Sequence, residues 1–269
     1  MRIATLTCSN TEILAALGFA DHLCAVDNHS DFPEEALQGL PRLGPDLSIN
    51  MALLQELKPD LVLASHSVPG MEKVTAQLAE TGLRYEILDP TSWSGVLESI
   101  RTVGRVLSCI DRAETLIQDM QNEIQSLRES LPAFEAPPKV MVEWWPRPVI
   151  VATQDSWITD MLRLLGAENA FSHLEKRSSP VTDQQVIEAA PELIVCSWCG
   201  VKKLRPEVIE NRKGWEQIPA IQNQKVVCIP ESGLGRPGPR LMEGFRALAE
   251  VLREGFAQPE APARPVQPH

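Results

Sequence analysis

Cys196-Ser197-Trp198-Cys199-Gly200 places two thiols at the spacing of a redox or metal-binding pair. A thioredoxin-type pair has its Trp before the first Cys, opens a helix and exposes both thiols. Here Cys196 closes the apolar run Leu193-Ile194-Val195-Cys196, a position for a buried, inert side chain. A structural zinc site needs four ligands, and no second pair has the spacing. Cys199, just past the run, remains available to touch a soft metal. His29 and His66 also follow apolar runs, and an imidazole there can ligate a metal centre or hydrogen-bond a ligand. Catalytic constellations are missing: the sequence has no GxSxG, no HExxH and no Walker loop. Asp155, Asp160, Asp183 and Glu231 are scattered acids, and Asp183 follows SSPVT at a helix start, where an acid satisfies free N–H groups. The chemistry legible here is binding rather than catalysis, with an enzyme using Cys199 as its nucleophile as the weaker alternative.

Tryptophan is the second signal. The chain has 6 Trp against 1 Tyr, and all but Trp215 fall at or near the ends of apolar runs. A Trp ring offers a flat apolar face with one N–H donor, which suits a large, flat, partly polar ligand; the competing role is to fill the core between domains. Tyr, often the ligand of an iron-phenolate haem site, is almost absent. In parallel α/β sheets ligands bind beyond the carboxyl ends of the strands. Reading outward from each run, the first half of the chain offers Asn10, His29, His66 and Trp93, and the second half offers Trp144, Trp145, Arg147, Trp198, Cys199 and Arg236. Trp93, Trp144, Trp145 and Trp198 are expected as apolar walls, Arg147 and Arg236 as partners of amide or phosphate groups, and His29 or His66 near a metal.

The elements that position these residues are written twice. Residues 53–65 (LLQELKPDLVLAS) match residues 185–197 (QVIEAAPELIVCS) at Glu56 and Glu188, Pro59 and Pro191, Leu61 and Leu193, and Ser65 and Ser197. Each reads as a helix end, a Pro break and a short strand, because Pro cannot continue a helix and a brief apolar run suits a buried parallel sheet. RYEILDPTS (84–92) resembles KVVCIPES (225–232), and TEILAALG (11–18) resembles DMLRLLG (160–166), each ending on Gly. The pattern predicts an α/β protein of two similar lobes with central parallel sheets and a working cleft between them.

In a first lobe of residues 1–95, strands are expected near 2–7, 23–27, 61–65 and 85–88, and helices near 11–18, 50–58 and 70–81, with Gly18 and Gly82 as stops. Residues 95–131 hold no Pro and only two Gly, and Leu116, Met120, Ile124, Leu127 and Leu131 share one helical face. The spacing predicts one long rigid helix joining the lobes, within an interdomain segment 96–138 that closes on Pro132 and the connector AFEAPPK. A continuous helical link predicts small-amplitude motion rather than wide closure. The second lobe is expected over 139–256, followed by a disordered Pro-rich tail over 257–269.

The 269 residues fit two domains of ordinary size, and 43% hydrophobic residues suffice for real cores. No stretch reaches the roughly 20 apolar residues of a membrane span, so no membrane insertion is expected. A formal charge of −11 argues against nucleic acid or anionic lipid as partner. Cys8, Cys24, Cys109, Cys196 and Cys228 lie in or beside apolar runs and are expected as buried, reduced thiols. RIATLT at residues 2–7 already reads as a strand with no basic start before it. Taken as the native start, that predicts a cytoplasmic protein; with a leader removed, it predicts a periplasmic or extracytoplasmic one.

RIATLTCSNTEILAALG, the Asp31-Phe32-Pro33 turn, LKPDLVLAS, a central helix, SWITDMLRLLGAENAF and GRPGPRLMEGFRAL follow one another in an order and spacing that resembles the helical-backbone substrate-binding proteins of ABC importers. The likeness covers nearly the whole chain apart from the tail and is nearest to the cobalamin-binding branch, whose relatives also bind ferric siderophores and haem. It implies two α/β lobes on one rigid helix, a shallow cleft holding cobalamin, cobinamide or another small metal chelate, no catalytic cofactor, and an ABC permease as partner. Glu72 matches the family's first-lobe docking acid. The second-lobe acid is expected just before Arg236, where this chain has Gly235, with Glu231 four residues earlier as the substitute.

Overall fold

The computed structural model describes residues 1–256; the tail expected to be disordered lies outside the described residues. The first lobe runs through β1 (Ile3–Thr5), α1 (Cys8–Ala16), β2 (Leu23–Val26), α2 (Glu34–Leu37), α3 (Met51–Leu57), β3 (Leu61–Ser65), α4 (Met71–Ala79) and β4 (Tyr85–Leu88). Its four strands pair in parallel in the order β2-β1-β3-β4. Every residue of β1, β2 and β3 is buried, as expected when helices cover both faces of a parallel sheet. Alternation divides them: Ile3, Leu23, Leu61 and Leu63 join one apolar cluster, and Ala4, Cys24, Val62 and Ala64 join another.

The second lobe contains β5 (Lys139–Pro146), β6 (Val149–Ala152), β7 (Glu168–Asn169), β8 (Ser178–Pro180), β9 (Leu193–Cys196) and β10 (Val226–Cys228). The six-stranded sheet runs β10-β9-β5-β6-β8, with β7 also on β5. β10, β9 and β5 are parallel, whereas β6 turns back antiparallel after residues 147–148. The matched halves of the sequence become matched structure: Lys58 and Ala190 end their helices in the left-handed conformation (φ 47° and 46°) immediately before Pro59 and Pro191. Gly18 and Gly166 likewise close their helices at φ 81° and 82°.

The expected single helix over 95–131 is two helices, α5 (Trp93–Val106) and α6 (Ile110–Glu129). Ser108 takes a left-handed conformation (φ 55°) and reverses the chain, and the two helices pack face to face. Gly104 permits the close approach, since a Cβ there would lie 2.6 Å from the Cβ of Ala113. Only the 20-residue α6 forms the link to the second sheet. Each of its ends is fastened to one lobe. Arg112 donates to the Leu17 carbonyl at 3.3 Å and lies over the Phe19 ring, at the end of α1. Arg128 lies against Gly166, about 3.0 Å from where a Cβ would stand, at the end of the second-lobe helix α7 (Trp157–Leu164). A cation at a helix C-terminus meets the negative end of the dipole.

The remaining helices complete the second lobe: α8 (Asp183–Ala189), α9 (Glu207–Glu210), α10 (Pro219–Gln222), α11 (Glu231–Leu234) and α12 (Leu241–Phe256). Thr182 caps α8 reciprocally with Gln185, while Asp183 accepts a bond from the Trp215 indole. Helix α12 packs on α6, so Phe245, Leu248 and Leu252 join the core shared with Ile117, Met120 and Ile124. Among the described residues no helix is long and apolar enough to cross a membrane.

Candidate functional site

The carboxyl ends of β3 and β4 deliver two loops toward the second lobe. Between those loops and the start of β8 lies a cleft of about 490 Å³ lined by Pro69 and Thr91 from one side and Asp155, Lys176, Arg177 and Ser178 from the other. That volume is in the range of small-molecule sites. Arg177 spans it, donating to the His66 carbonyl at 2.5 Å and to Asp89 Oδ1 at 2.6 Å. His66 is half-buried beside it, with Nε2 paired to Thr75 Oγ1 at 2.8 Å. Lys176, Arg177 and Ser178 were not legible as site residues; the basic pair before Ser-Ser-Pro was the available signal.

A second polar bridge joins the lobes through Arg236. Its guanidinium meets Glu12 Oε1 at 3.0 Å and Asp31 Oδ1 at 2.5 Å, and its Nε lies 3.5 Å from Glu231. Arg240 adds a bond to Glu12 at 3.2 Å and stacks 4.7 Å from the Phe32 ring. Glu12 is almost fully buried, and burial raises its pKa from 4.5 to about 7 against the opposing pull of Arg236 and Arg240. Burial also raises the pKa of Asp27, which accepts from Ser30 at 2.5 Å. Ser30 continues through Thr11 to Thr5, giving a line of buried hydroxyls beneath the Asp31 turn. Arg236 thus pairs across the lobe–lobe contact through its two terminal nitrogens, while its Nε has no hydrogen-bond partner.

The tryptophans divide. Trp198 is buried, and its indole donates to Glu143 Oε1 at 3.0 Å. Glu143, itself fully buried, is held by Arg212 through bonds of 2.9 and 3.0 Å, and Arg212 stacks 4.1 Å from the Trp215 ring. Trp93 is buried edge-on against Phe245 at 5.1 Å. Trp198 thus has both ring and N–H enclosed by core partners, and the Trp93 ring packs on Phe245 in the core shared with α12. Trp144 is half-buried, and Trp145 is 41% exposed with its indole turned to the Arg147 carbonyl. Arg147 lines a different recess of about 690 Å³ within the second lobe, with Asp183, Asn211, Arg212 and Lys213.

Asn10 lies inside α1, buried, with Nδ2 donating to the Ala64 carbonyl and Oδ1 without a partner. It ties the first turn of α1 to the end of β3. His29 is exposed and 3.7 Å from Asp46, while His66 is turned to Thr75, so the two imidazoles are committed to separate partners. Among the described residues no group of three or more His, Cys, Asp or Glu side chains could hold a metal ion. Cys199 is exposed at the strand tip; desolvation by its surroundings and the Glu231 carboxylate push its thiol up to about 12, far from a reactive thiolate. Glu72 is exposed in the first turn of α4, and its carboxylate accepts the Gly70 N–H at 2.8 Å.

Comparison with known proteins agrees with this architecture. An uncharacterized ABC transporter substrate-binding lipoprotein, YvrC of Bacillus subtilis, is 30% identical over 93% of this chain and 79% of its own length. The solved periplasmic vitamin B12 binding protein BtuF of Vibrio cholerae is 26% identical, with a TM-score of 0.78 over 96% of this chain and 98% of its own. A possible iron-binding periplasmic solute-binding protein of Staphylococcus epidermidis is also 26% identical, with a TM-score of 0.80 over 93% of this chain and 98% of its own. The family model for periplasmic binding proteins matches residues 3–232, and with two lobes bridged across a cleft and linked by one helix, the chain belongs to the periplasmic binding protein family.

Proposed function

We propose that the chain binds a corrinoid, cobalamin or cobinamide, in the cleft between its lobes, without catalysis, as the solute-binding component of an ABC importer outside the cytoplasm. The observation that carries this reading is the cleft at the carboxyl ends of β3 and β4, facing the basic pair Lys176-Arg177 across the gap. Amide-bearing side chains of a corrinoid meet donors there, while the exposed Trp145 ring and half-buried Trp144 offer apolar area on the same lobe. A corrinoid is bulkier than the recess, so it rests in it with part of its surface in solvent. The likeness to a vitamin B12 binding protein supports the choice of ligand.

Mixing the protein with cobalamin or cobinamide at micromolar concentration is expected to quench Trp fluorescence and shift the visible spectrum. No response to either compound removes the corrinoid reading. A ferric siderophore or haem is the second reading, favoured by the likeness to a possible iron-binding relative. Displacement of bound corrinoid by such chelates, or binding of chelates alone, separates the two.

In this reading Glu72 is the docking acid of the first lobe. On the second lobe Glu231, whose side chain lies over Gly235 within 2.8 Å of where a Cβ would stand, is the substitute acid in this reading.

A further inference from the structure

Cys196 and Cys228 meet across the two strands that end the second sheet. The parallel register sets Val226 opposite Ile194, Val227 opposite Val195 and Cys228 opposite Cys196. Successive side chains alternate faces. Ile194, Cys196 and Val226 share one apolar cluster, whereas Val195 and Val227 border the other, so both thiols project from the same face. The two side chains therefore stand side by side on neighbouring strands. Neighbouring strands stand about 4.7–4.9 Å apart, inside the roughly 4.4–6.8 Å between Cα atoms that a disulfide spans. The two sulfurs differ in access. Cys196 is fully buried, whereas Cys228 is exposed on the edge strand, against the expectation that it is a core thiol.

We propose that Cys196 and Cys228 are a thiol pair that a disulfide-bearing oxidant closes into a disulfide between β9 and β10. Cys228 gives its proton to solvent, and the thiolate attacks one sulfur of the oxidant, expelling the first thiolate of that reagent. Cys196 then gives up its proton and attacks the Cys228 sulfur, expelling the second. Two protein thiols lose two electrons, the oxidant disulfide becomes two thiols, and the two protons pass to the released sulfurs. Burial pushes the Cys196 thiol up to about 12 and raises Cys228 as well, so exchange accelerates as the pH rises. The consequence is local. β10 runs into Pro230, Glu231 and then Arg236, so the new bond fastens the strand that leads to the lobe–lobe bridge.

The test treats the native full chain with oxidised glutathione at mildly alkaline pH and reads intact mass and protease maps. Wild type is expected to lose two hydrogen masses and to yield linked peptides carrying Cys196 and Cys228. Cys228→Ser is expected to abolish that loss, and Cys196→Ala to leave glutathione attached to Cys228. Glutathione retained on Cys228 in wild type, a link through Cys199 instead, or no reaction at either sulfur overturns the proposal. Cys228→Ser changes an exposed position and decides the matter by itself if the buried variant does not fold.

Discussion

Aligned on Gly18 and Gly166, the helices α1 and α7 place Glu12 opposite Asp160, and the two acids do different things. Glu12 is buried and reaches across to Arg236 and Arg240 of the other lobe. Asp160 is partly exposed, accepts the Trp93 N–H at the start of α5 and pairs with Arg163 on its own helix. The sheets repeat the lesson. Leu63 and Val195 are equivalent, so Thr5 of β1 corresponds to Val142 of β5, and the next residues are Leu6 and Glu143. One lobe buries a leucine where the other buries a carboxylate with its arginine. On the far side of the central strand the first lobe adds a parallel strand, β2, and the second adds the antiparallel β6 and then β8 with its basic pair. Where the halves agree they build the frame, and where they part they build the polar contacts and the cleft.

The sharpest way to break the comparison is at Glu143. Glu143→Ala leaves the part-buried Arg212 guanidinium and the Trp198 N–H without their partner and is expected to cost about 3 kcal/mol in urea unfolding. Replacing both Glu143 and Arg212 by leucine, which copies the first lobe, is expected to recover most of it. A smaller effect is expected at Glu12. Its pKa is raised from 4.5 to about 7, so its contribution to stability is fully present below 4.5 and fades as the pH rises through about 7. Glu12→Gln should flatten that slope in pH-dependent melting, and an unchanged slope assigns it to other groups. Lys58→Gly and Ala190→Gly, at the paired left-handed caps, are each expected to shift stability by about 1 kcal/mol or less in the same direction. Opposite signs would end the equivalence of the two caps. Least of all, Trp145→Ala should leave the unfolding midpoint within about 0.5 kcal/mol while removing most of the ligand-induced fluorescence change.

Much of the frame was legible. The strand over 61–65 and the helices near 50–58 and 70–81 follow from apolar runs punctuated by Pro and Gly, which act locally. The break between α5 and α6 did not show, because Ser108 adopts its left-handed turn without the glycine that would advertise it, and both helices are amphipathic. The start of α1 at Cys8 also escaped, which moved Asn10 from a loop into a helix. At the site, residue type marked Trp as notable but not its fate. Trp198 is fixed by Glu143, 55 positions away, and no local pattern carries that partnership. His66 offers its carbonyl to Arg177 beside the cleft, whereas Lys176 and Arg177 sit in an irregular segment that strand-end reasoning does not reach.

The fastening of α6 by Arg112 and Arg128 has a kinetic consequence. Those arginines are 16 positions apart, so helical rise alone sets their separation at about 24 Å. The helix acts as a ruler whose length is fixed by covalent geometry, and it holds the ends of α1 and α7 at that spacing. With the lobes held at a fixed spacing, ligand entry is expected to need side-chain movement at Arg177 and no slow lobe opening. Stopped-flow association should be single-phased, with a rate rising linearly in ligand concentration and no plateau.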